Sequence, residues 1–360
     1  MIPVENKPLA SFTTFGIGGP ARWFVEAASE DDAVEATDWA KEREVPLFVL
    51  GGGSNLLVRD AGFDGLVLRV CLRGITVAPA PDRTGQVIYQ AAAGEDWEHF
   101  VQRTIEDNCA GVECLAGIPG TVGGTPVQNV GAYGQEVAST IERVRAFDLE
   151  KHAFVEFSAA ECGFGYRRSR FNSTDRGRYI VTRVDYRLTP GGAPTLRYAE
   201  LQRNFPEGVK TSLTEVAALV RRLRQSKGML LVEGDSECRS AGSFFKNPVV
   251  SQQQLRRIAE RSGMEPPSYP AGSGAKPESG SATEKPLLFK VPAAWLIEQA
   301  GFAKGYELGA AAISSRHTLA LVNRGEASAA EVLALAEQIT AAVEERFGIR
   351  LEMEPVMVGF

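Results

Sequence analysis

A glycine-rich segment at 117–134, with the sequence GIPGTVGGTPVQNVGAYG, gives the first indication of chemistry in this chain. Its glycines and prolines exclude an ordinary helix or a central strand. Glycine lets the backbone approach a ligand closely, and the free N–H groups of such a loop suit a pyrophosphate. Because apolar residues are interleaved through the segment, composition alone leaves a buried packing corner as the alternative.

A second glycine run, LGGGSNLL at 50–57, follows an apolar run of strand length. A dinucleotide fingerprint of the Rossmann type needs a strand, a glycine turn and a helix in that order. Here strand-forming residues follow the turn, so we exclude that type of site. Consecutive N–H groups and a Ser-Asn pair still suit a phosphate, although a tight turn would have the same sequence. Two separated phosphate loops together indicate a large diphosphate ligand such as FAD.

The segment FGYRRSRF at 164–171 concentrates positive charge in an acidic chain. It contains Tyr166, Arg167, Arg168 and Arg170, and an arginine can hold a carboxylate through two parallel hydrogen bonds. This pattern predicts a site for a carboxylate, with a solvated surface turn as the alternative.

The segment AGSFFKNP at 241–248 places the hydroxyl of Ser243 among apolar side chains. A hydroxyl in a sheltered site can act as a proton donor. The pattern is not the G-x-S-x-G nucleophile elbow, because Phe245 replaces the second glycine. A helix cap or a turn is the alternative role for this serine.

The segment LEMEP at 351–355 carries two acids, Glu352 and Glu354, which would share one face of a strand. They are candidates for proton chemistry, and a pair of solvated surface acids is the alternative.

The composition limits the class of protein. The chain has 360 residues, 44% of them hydrophobic, which suffices for two or three domains. The net charge of −6 argues against nucleic acid or an anionic membrane as a partner, and no apolar run is long enough to span a membrane. The five cysteines are odd in number and, like the three histidines, lack metal-ligand spacing. We therefore expect reduced thiols, no metal and a cytoplasmic protein.

Short strand-forming runs alternate with few helices up to about residue 200, which favours an α+β fold over a regular parallel sheet. Capping boxes that begin at Ser212, Ser251 and Ser328 predict three later helices. The stretch 266–286, rich in Pro, Gly and Ser, is predicted to be an exposed loop. Predicted strands lie at 45–50, 56–58, 66–70, 87–93, 144–149, 153–158, 179–188, 319–322 and 350–360, and predicted early helices at 29–40 and 97–107.

In this order, the motifs resemble those of the UDP-N-acetylenolpyruvoylglucosamine reductase family, flavoenzymes of peptidoglycan precursor synthesis. The resemblance runs from SFTTFGIGGPAR at 11–22, through the motifs above and AAWLIEQAG at 293–301, to LEMEP. It implies an α+β protein with an FAD-binding domain of the vanillyl-alcohol-oxidase/PCMH type and a C-terminal α+β substrate-binding domain. The first FAD subdomain would comprise 1–70 completed by 326–360, the second 71–226, and the substrate-binding domain 227–325.

The resemblance also implies an activity. With FAD and NADPH, the family reduces the enolpyruvyl group of a UDP-sugar to give UDP-N-acetylmuramate. Hydride passes from flavin N5 to C3 of the enolpyruvyl group, and a proton is added at C2. We expect a monomer that binds this small molecule and neither nucleic acid nor membrane. A flavin oxidoreductase of the same fold with another substrate, and a non-catalytic nucleotide-binding protein, are the alternatives.

The matching positions carry roles by resemblance. Arg167 matches the arginine that stabilises the enolate, Ser243 the proton donor, and Glu354 the glutamate that supports proton transfer. Five positions match substrate contacts, and the tyrosine among them at 198 covers the substrate in one type of the family: Tyr166, Tyr198, Lys227, Asn247 and Lys290. The positions that match the FAD site are Gly51, Gly52, Gly53, Ser54, Asn55, Gly117, Ile118, Pro119, Gly120, Thr121, Gly123, Gly124 and Thr125.

Four positions depart from the family pattern. Gly52 replaces a glutamate that is common in the first glycine turn, and Arg168 stands where aspartate is common. The Leu-Pro-Asp-Pro that often follows the lysine is missing after Lys227. Pro355 follows Glu354 where valine is usual, and a proline offers no ladder N–H, so the strand must lie at an edge or end there. Glu352 therefore stays the alternative functional acid.

Overall fold

The N-terminal part of the chain forms a mixed sheet covered by one helix. The computed structural model describes residues 2–82, 84–206, 208, 210–271 and 287–360. The first elements are β1 Val4–Pro8, β2 Pro20–Ala27, α1 Glu30–Glu42, β3 Leu47–Leu50, β4 Leu56–Val58 and β5 Phe63–Val70. The sheet has the strand order β1-β2-β5-β3, in which β5 runs parallel to both β2 and β3.

Helix α1 shows why this part folds as it does. Its capping box joins Ser29 and Asp32. The acidic residues of its first turn interact favourably with the positive end of the helix dipole. Its buried face carries Ala33, Ala36 and Ala40. These small side chains share one apolar core with residues of β2 and β5, so they let the helix pack on the sheet.

The middle of the chain forms a larger, antiparallel sheet. Its strand order is β12-β11-β13-β7-β6, with β8 paired to the end of β13. Helix α2 packs on it through Trp97, Phe100 and Val101, all fully buried. The elements are β6 Ile75–Pro79, β7 Val87–Ala92, α2 Trp97–Glu106, β8 Cys109–Ala110, β9 Gly131–Ala132, β10 Gln135–Glu136, β11 Ile141–Asp148, β12 Ala153–Ser158, β13 Tyr179–Pro190, α3 Ala199–Asn204 and α4 Leu213–Ser226.

The C-terminal part forms a second core, in which two small sheets and a long helix pack together with Phe15, Ile17 and Leu57 of the N-terminal part. The sheets have the orders β14-β16-β15 and β17-β18-β19. The last strand, β20, returns to the N-terminal part and pairs in parallel with β4. The elements are β14 Val249–Ser251, α5 Gln252–Ser262, β15 Tyr269–Pro270, β16 Leu288–Lys290, α6 Ala293–Gln299, β17 Glu307–Leu308, β18 Ala311–Ile313, β19 Leu321–Asn323, α7 Ala329–Phe347 and β20 Val356–Val358.

The α+β class predicted from the sequence is confirmed, and the three capping boxes begin α4, α5 and α7 as predicted. The final strand is shorter than predicted, since only Val356–Val358 of the stretch 350–360 is strand. Within the predicted loop 266–286, β15 forms a short strand, and residues 272–286 lie outside the described residues. The domain boundaries stay predictions. No helix among the described residues is long and apolar enough to cross a membrane.

Candidate active site

Both glycine segments line one cavity of about 670 Å³, a size typical of sites that bury a small organic ligand. The first segment lies between β3 and β4, so the turn leads into a strand and not into a helix, as the sequence predicted. The second segment follows α2 and β8. Twelve of the thirteen predicted FAD-binding residues line the cavity, and Gly117 is the exception.

The two glycine segments contact each other directly through their backbones. A Cβ at Gly52 would lie 2.5 Å from the Cα of Gly120, so the position has no room for a side chain. Gly53 has a φ of +65°, and a Cβ there would lie 1.7 Å from the carbonyl oxygen of Phe12. Gly52, which replaces the glutamate common in the family, is therefore the residue that contacts Gly120 of the second segment.

The backbone amides of these segments divide into two groups. Val122, Gly123, Gly124 and Thr125 donate their N–H groups to nearby carbonyls and build the turn. In contrast, the N–H groups of residues 51–55, and those of Ile118, Gly120 and Thr121, donate to no other group in the described part of the chain. Unused amide donors around a cavity form an anion site, so the residues present fit the pyrophosphate of FAD.

Gly117 is held behind the cavity by two side chains. Its N–H donates to the carboxylate of Glu98, and its carbonyl accepts a hydrogen bond of 2.8 Å from Nε of Arg224. Arg224 is only 8% exposed, and burial lowers the pKa of its guanidinium. The sequence prediction missed this arginine, although a signal existed: Arg224 continues the buried stripe of α4 that contains Val216 and Val220.

The charge of the cavity is opposite to that of the whole chain. Among the described residues that line it, Glu354 is the only acid. The basic side chains are Arg167, Arg176, Arg224, Lys227 and Lys246. A low-dielectric cavity lined by one sign of charge concentrates ligands of the other sign, so the site favours polyanions although the chain is acidic.

Arg167 and Glu354 form the central ion pair. Arg167 lies in a tight turn with a φ of +54°, and its Nε is 2.9 Å from Oε1 of Glu354. The N–H does not point at the oxygen well enough for a hydrogen bond, so the contact is electrostatic and does not saturate the guanidinium. Burial raises the pKa of Glu354, and Arg167 opposes that rise. Arg168, the neighbour in the turn, is exposed.

The backbone on the two sides of Pro355 hydrogen-bonds to two different segments of the chain. Before it, Glu354 N donates to the carbonyl of Phe244 at 2.8 Å, and after it, Val356 N donates to Asn55 at 2.9 Å. The proline therefore stands between two ladders, where a missing N–H costs no hydrogen bond. The side chain of Glu354 is 10% exposed and faces the cavity, whereas that of Glu352 is 70% exposed and pairs with Lys246.

Ser243 directly precedes Phe244, whose carbonyl accepts the backbone N–H of Glu354. It lines the cavity, while its neighbours Phe244 and Phe245 are buried in the C-terminal core. Its hydroxyl makes no hydrogen bond to any described residue. The structure thus brings the three predicted catalytic residues, Arg167, Ser243 and Glu354, to one wall of the cavity.

The predicted substrate contacts fall into two groups. Tyr198 and Lys227 line the cavity: Lys227 makes a 2.8 Å ion pair with Glu200 and lies over the ring of Tyr133. Tyr133, which the sequence prediction did not assign, packs edge-on against Tyr198.

The second group lies beside the cavity rather than in its lining. Lys290 Nζ lies 3.6 Å from the ring centre of Tyr166, and Asn247 lies beside the same tyrosine. The side-chain oxygen of Asn247 also accepts the N–H of Ala293 at the start of α6. Tyr166 adjoins Arg167, so this cluster flanks the ion pair.

Two further residues were missed in the sequence. Lys246, which follows the two phenylalanines of the segment 241–248, lines the cavity. His317, one of the three histidines without metal-ligand spacing, also lines the cavity. No group of His, Cys, Asp and Glu in the described part of the chain could hold a metal ion.

Comparisons with known proteins agree with this geometry. Residues 21–151 match an FAD binding domain, and residues 234–358 match the UDP-N-acetylenolpyruvoylglucosamine reductase, C-terminal domain. The chain is 44% identical to the UDP-N-acetylenolpyruvoylglucosamine reductase of Streptomyces coelicolor, over 99% of this chain and 90% of that protein. It is also 44% identical to that of Thermobifida fusca, over 99% of this chain and 98% of the relative.

A solved structure extends the agreement to three dimensions. The crystal structure of the reductase from Thermus caldophilus aligns with a TM-score of 0.63 at 28% identity, covering 99% of this chain and all of that one. The predicted FAD-binding fold with a C-terminal domain of this family is confirmed. The chain therefore belongs to the UDP-N-acetylenolpyruvoylglucosamine reductase family.

Proposed function

We propose that this protein reduces the enolpyruvyl group of UDP-N-acetylglucosamine-enolpyruvate to UDP-N-acetylmuramate, with FAD as cofactor and NADPH as reductant. The observation that carries the proposal is the convergence of Arg167, Ser243 and Glu354 on a cavity that two glycine segments also line. Membership of the family supports the same reaction. Action as a cytoplasmic monomer stays a prediction from the sequence.

The glycine segments would bind FAD. Their unused amides suit its pyrophosphate, and the absent Cβ at Gly52 lets the two glycine segments approach each other, while the absent Cβ at Gly53 leaves room for the backbone of Phe12. FAD, when bound, supplies the redox chemistry by accepting hydride from NADPH and passing it from N5 to C3 of the enolpyruvyl group.

The protein's own groups would complete the reaction at the other carbon. Arg167 would bind the substrate carboxylate and stabilise the negative charge that develops on it, since Glu354 does not saturate its guanidinium. The unbonded hydroxyl of Ser243 would then deliver a proton to C2. Glu354, with its pKa raised by burial, would support that proton transfer.

The remaining cations would bind the charged part of the substrate. Lys227 would bind the UDP diphosphate and Tyr198 would cover the substrate, a proposal supported by the position of both residues in the cavity lining. Lys290, Tyr166 and Asn247 form the neighbouring cluster and would contact the substrate beside Arg167.

A visible spectrum of the purified protein tests the proposal. We expect a flavin absorption that NADPH bleaches and that the enolpyruvyl substrate restores, with UDP-N-acetylmuramate as the product. A flavin reduced by NADPH but not reoxidised by this substrate would indicate another substrate. A colourless protein that takes up no FAD would contradict the proposal entirely.

A further inference from the structure

His317 is a titratable side chain of the cavity that the proposed reaction does not use. It lies in the loop between β18 and β19 and shares the cavity wall with Lys227. Its imidazole makes no hydrogen bond to any residue in the described ranges. A polar ring that faces a ligand cavity without a partner is available to a ligand.

The side chains around His317 are already paired. Arg316 makes a 2.6 Å ion pair with Asp235, and Thr318 donates to Glu298 at 2.5 Å. Ser314, on the same loop, donates to Glu237 at 2.5 Å. Ser315 is exposed and outside the cavity lining, so His317 is the unpaired polar side chain of this described loop that reaches the cavity.

The charged groups that face His317 come from four elements. Lys227 at the end of α4 and Lys304 in the loop after α6 oppose a proton on the ring, while Glu298 of α6 and Glu200 of α3 favour one. Burial dominates, and with the two lysines it lowers the pKa of His317 to about 4. Without a ligand, the ring is therefore neutral at neutral pH.

We propose that His317 is a second ligand, beside Lys227, for the anionic diphosphate of the UDP-sugar, and that its ring takes up a proton when this anion binds. The inference rests on the proposed function, since it concerns the same substrate. A bound diphosphate offsets the positive field of Lys227 and Lys304 and accepts a hydrogen bond from the charged ring. The anion thus offsets the share of the pKa lowering that comes from the two lysines, and its hydrogen bond to the charged ring opposes the share that comes from burial.

Proton uptake on binding makes the affinity depend on pH. When the ring binds its proton more tightly in the complex than in the free protein, the dissociation constant falls as the pH is lowered between the two pKa values. If the bound ring regains the ordinary histidine pKa of ~6.5, the complex is about 20-fold tighter at pH 5 than at pH 7. The product UDP-N-acetylmuramate is a suitable probe because its diphosphate has no titrating proton in that range.

The test measures binding of UDP-N-acetylmuramate to the oxidised FAD-loaded protein by calorimetry across this pH range, in two buffers of different ionisation enthalpy. His317→Gln keeps a polar side chain but cannot take up a proton. His99→Gln is the matched control, because His99 is exposed on α2 and outside the cavity lining. We expect the wild type and His99→Gln to take up about one more proton per ligand at pH 5 than His317→Gln.

A second readout observes the ring itself. The imidazole C2–H resonance that disappears in His317→Gln should move to its protonated position when the probe is added to the wild type at pH 5.5, a pH chosen to lie roughly between the two pKa values. Equal proton uptake and equal pH dependence in wild type and His317→Gln would overturn the inference and leave the proposed function intact. Absence of any binding by the wild type would instead overturn the proposed function, and this inference with it.

Discussion

Replacing Gly52 with alanine tests whether the two glycine segments must touch in order to hold FAD. The added Cβ would lie 2.5 Å from Cα and 2.8 Å from the carbonyl carbon of Gly120. Carbon atoms in contact normally lie about 3.5–4.0 Å apart, so the segments must separate by roughly 1 Å. Both neighbours are backbone atoms, so no side-chain rotation can relieve the clash.

The separation sets the size of the effect. A shift of roughly 1 Å takes a hydrogen bond of about 2.9 Å beyond the useful range. A hydrogen bond to a charged acceptor contributes about 1.5–3 kcal/mol, so the loss of one weakens FAD binding about 10- to 150-fold. Because Gly52 and Gly120 both lie in amide-rich segments around the cavity, FAD affinity should change more than the stability of the core.

The assay is reconstitution of the apoprotein with FAD, followed by the quenching of flavin fluorescence. Gly165→Ala is the matched control, since a Cβ there meets only the Cβ of Arg168 at 3.9 Å and the position has no positive φ. We expect the control to bind FAD as the wild type does. An unchanged dissociation constant for Gly52→Ala, in a protein with an unchanged circular dichroism spectrum, would refute the reasoning.

Three further predictions concern the wall that carries the proton chemistry. Ser243→Ala should keep FAD and its reduction by NADPH but lower product formation about 10²- to 10⁴-fold, and normal turnover in stopped-flow and steady-state assays would exclude Ser243 as the proton donor. Glu354→Gln should lower kcat strongly, whereas the kcat of Glu352→Gln should stay within about fivefold of the wild type, because an exposed ion pair such as that of Glu352 with Lys246 contributes about 0–1 kcal/mol. A larger loss of kcat in Glu352→Gln than in Glu354→Gln would make Glu352 the functional acid. The raised pKa of Glu354 means that the native state binds its proton more tightly than the unfolded state, so this group's contribution to stability falls as the pH rises above the unfolded pKa. Glu354→Gln should therefore flatten the decline of Tm with rising pH in calorimetric scans, and an unchanged slope would show that the carboxyl does not titrate in this way.

The parts of the site that lie in contiguous motifs could be predicted from the sequence. Glycine runs, the serine among apolar residues and the arginine-rich turn are local patterns, because their chemistry depends on neighbours in the chain. A Rossmann turn at 51–55 could be excluded because strand-forming residues, and not a helix, follow the glycines. The structure has strand β4 directly after residue 55.

The parts that depend on tertiary packing could not be read in the same way. Arg224 and Glu98 meet at Gly117 from two helices, and no spacing in the sequence links them. The residue pattern alone did not separate Glu352 from Glu354, since both would share one face of a strand, and only the family resemblance favoured Glu354. Their difference arises because the chain changes partners at Pro355, which buries one acid against Arg167 and leaves the other in solvent.

The change of hydrogen-bond partners at Pro355 has a consequence for chimeras made between members of the family. The N–H of Glu354 donates to the carbonyl of Phe244, next to Ser243, and the N–H of Val356 donates to Asn55 in the first glycine segment. Asn55 in turn donates to the carbonyl of Glu354 at 3.3 Å. A chimera that takes only residues 227–325 from a relative would pair the relative's Ser243 segment with this protein's own residues 350–358. The residues that carry the substrate chemistry therefore extend close to the end of the chain, as does the matched C-terminal domain at 234–358. Residues 350–358 have to be exchanged together with the segment that contains Ser243, or the acid and the proton donor will come from different relatives.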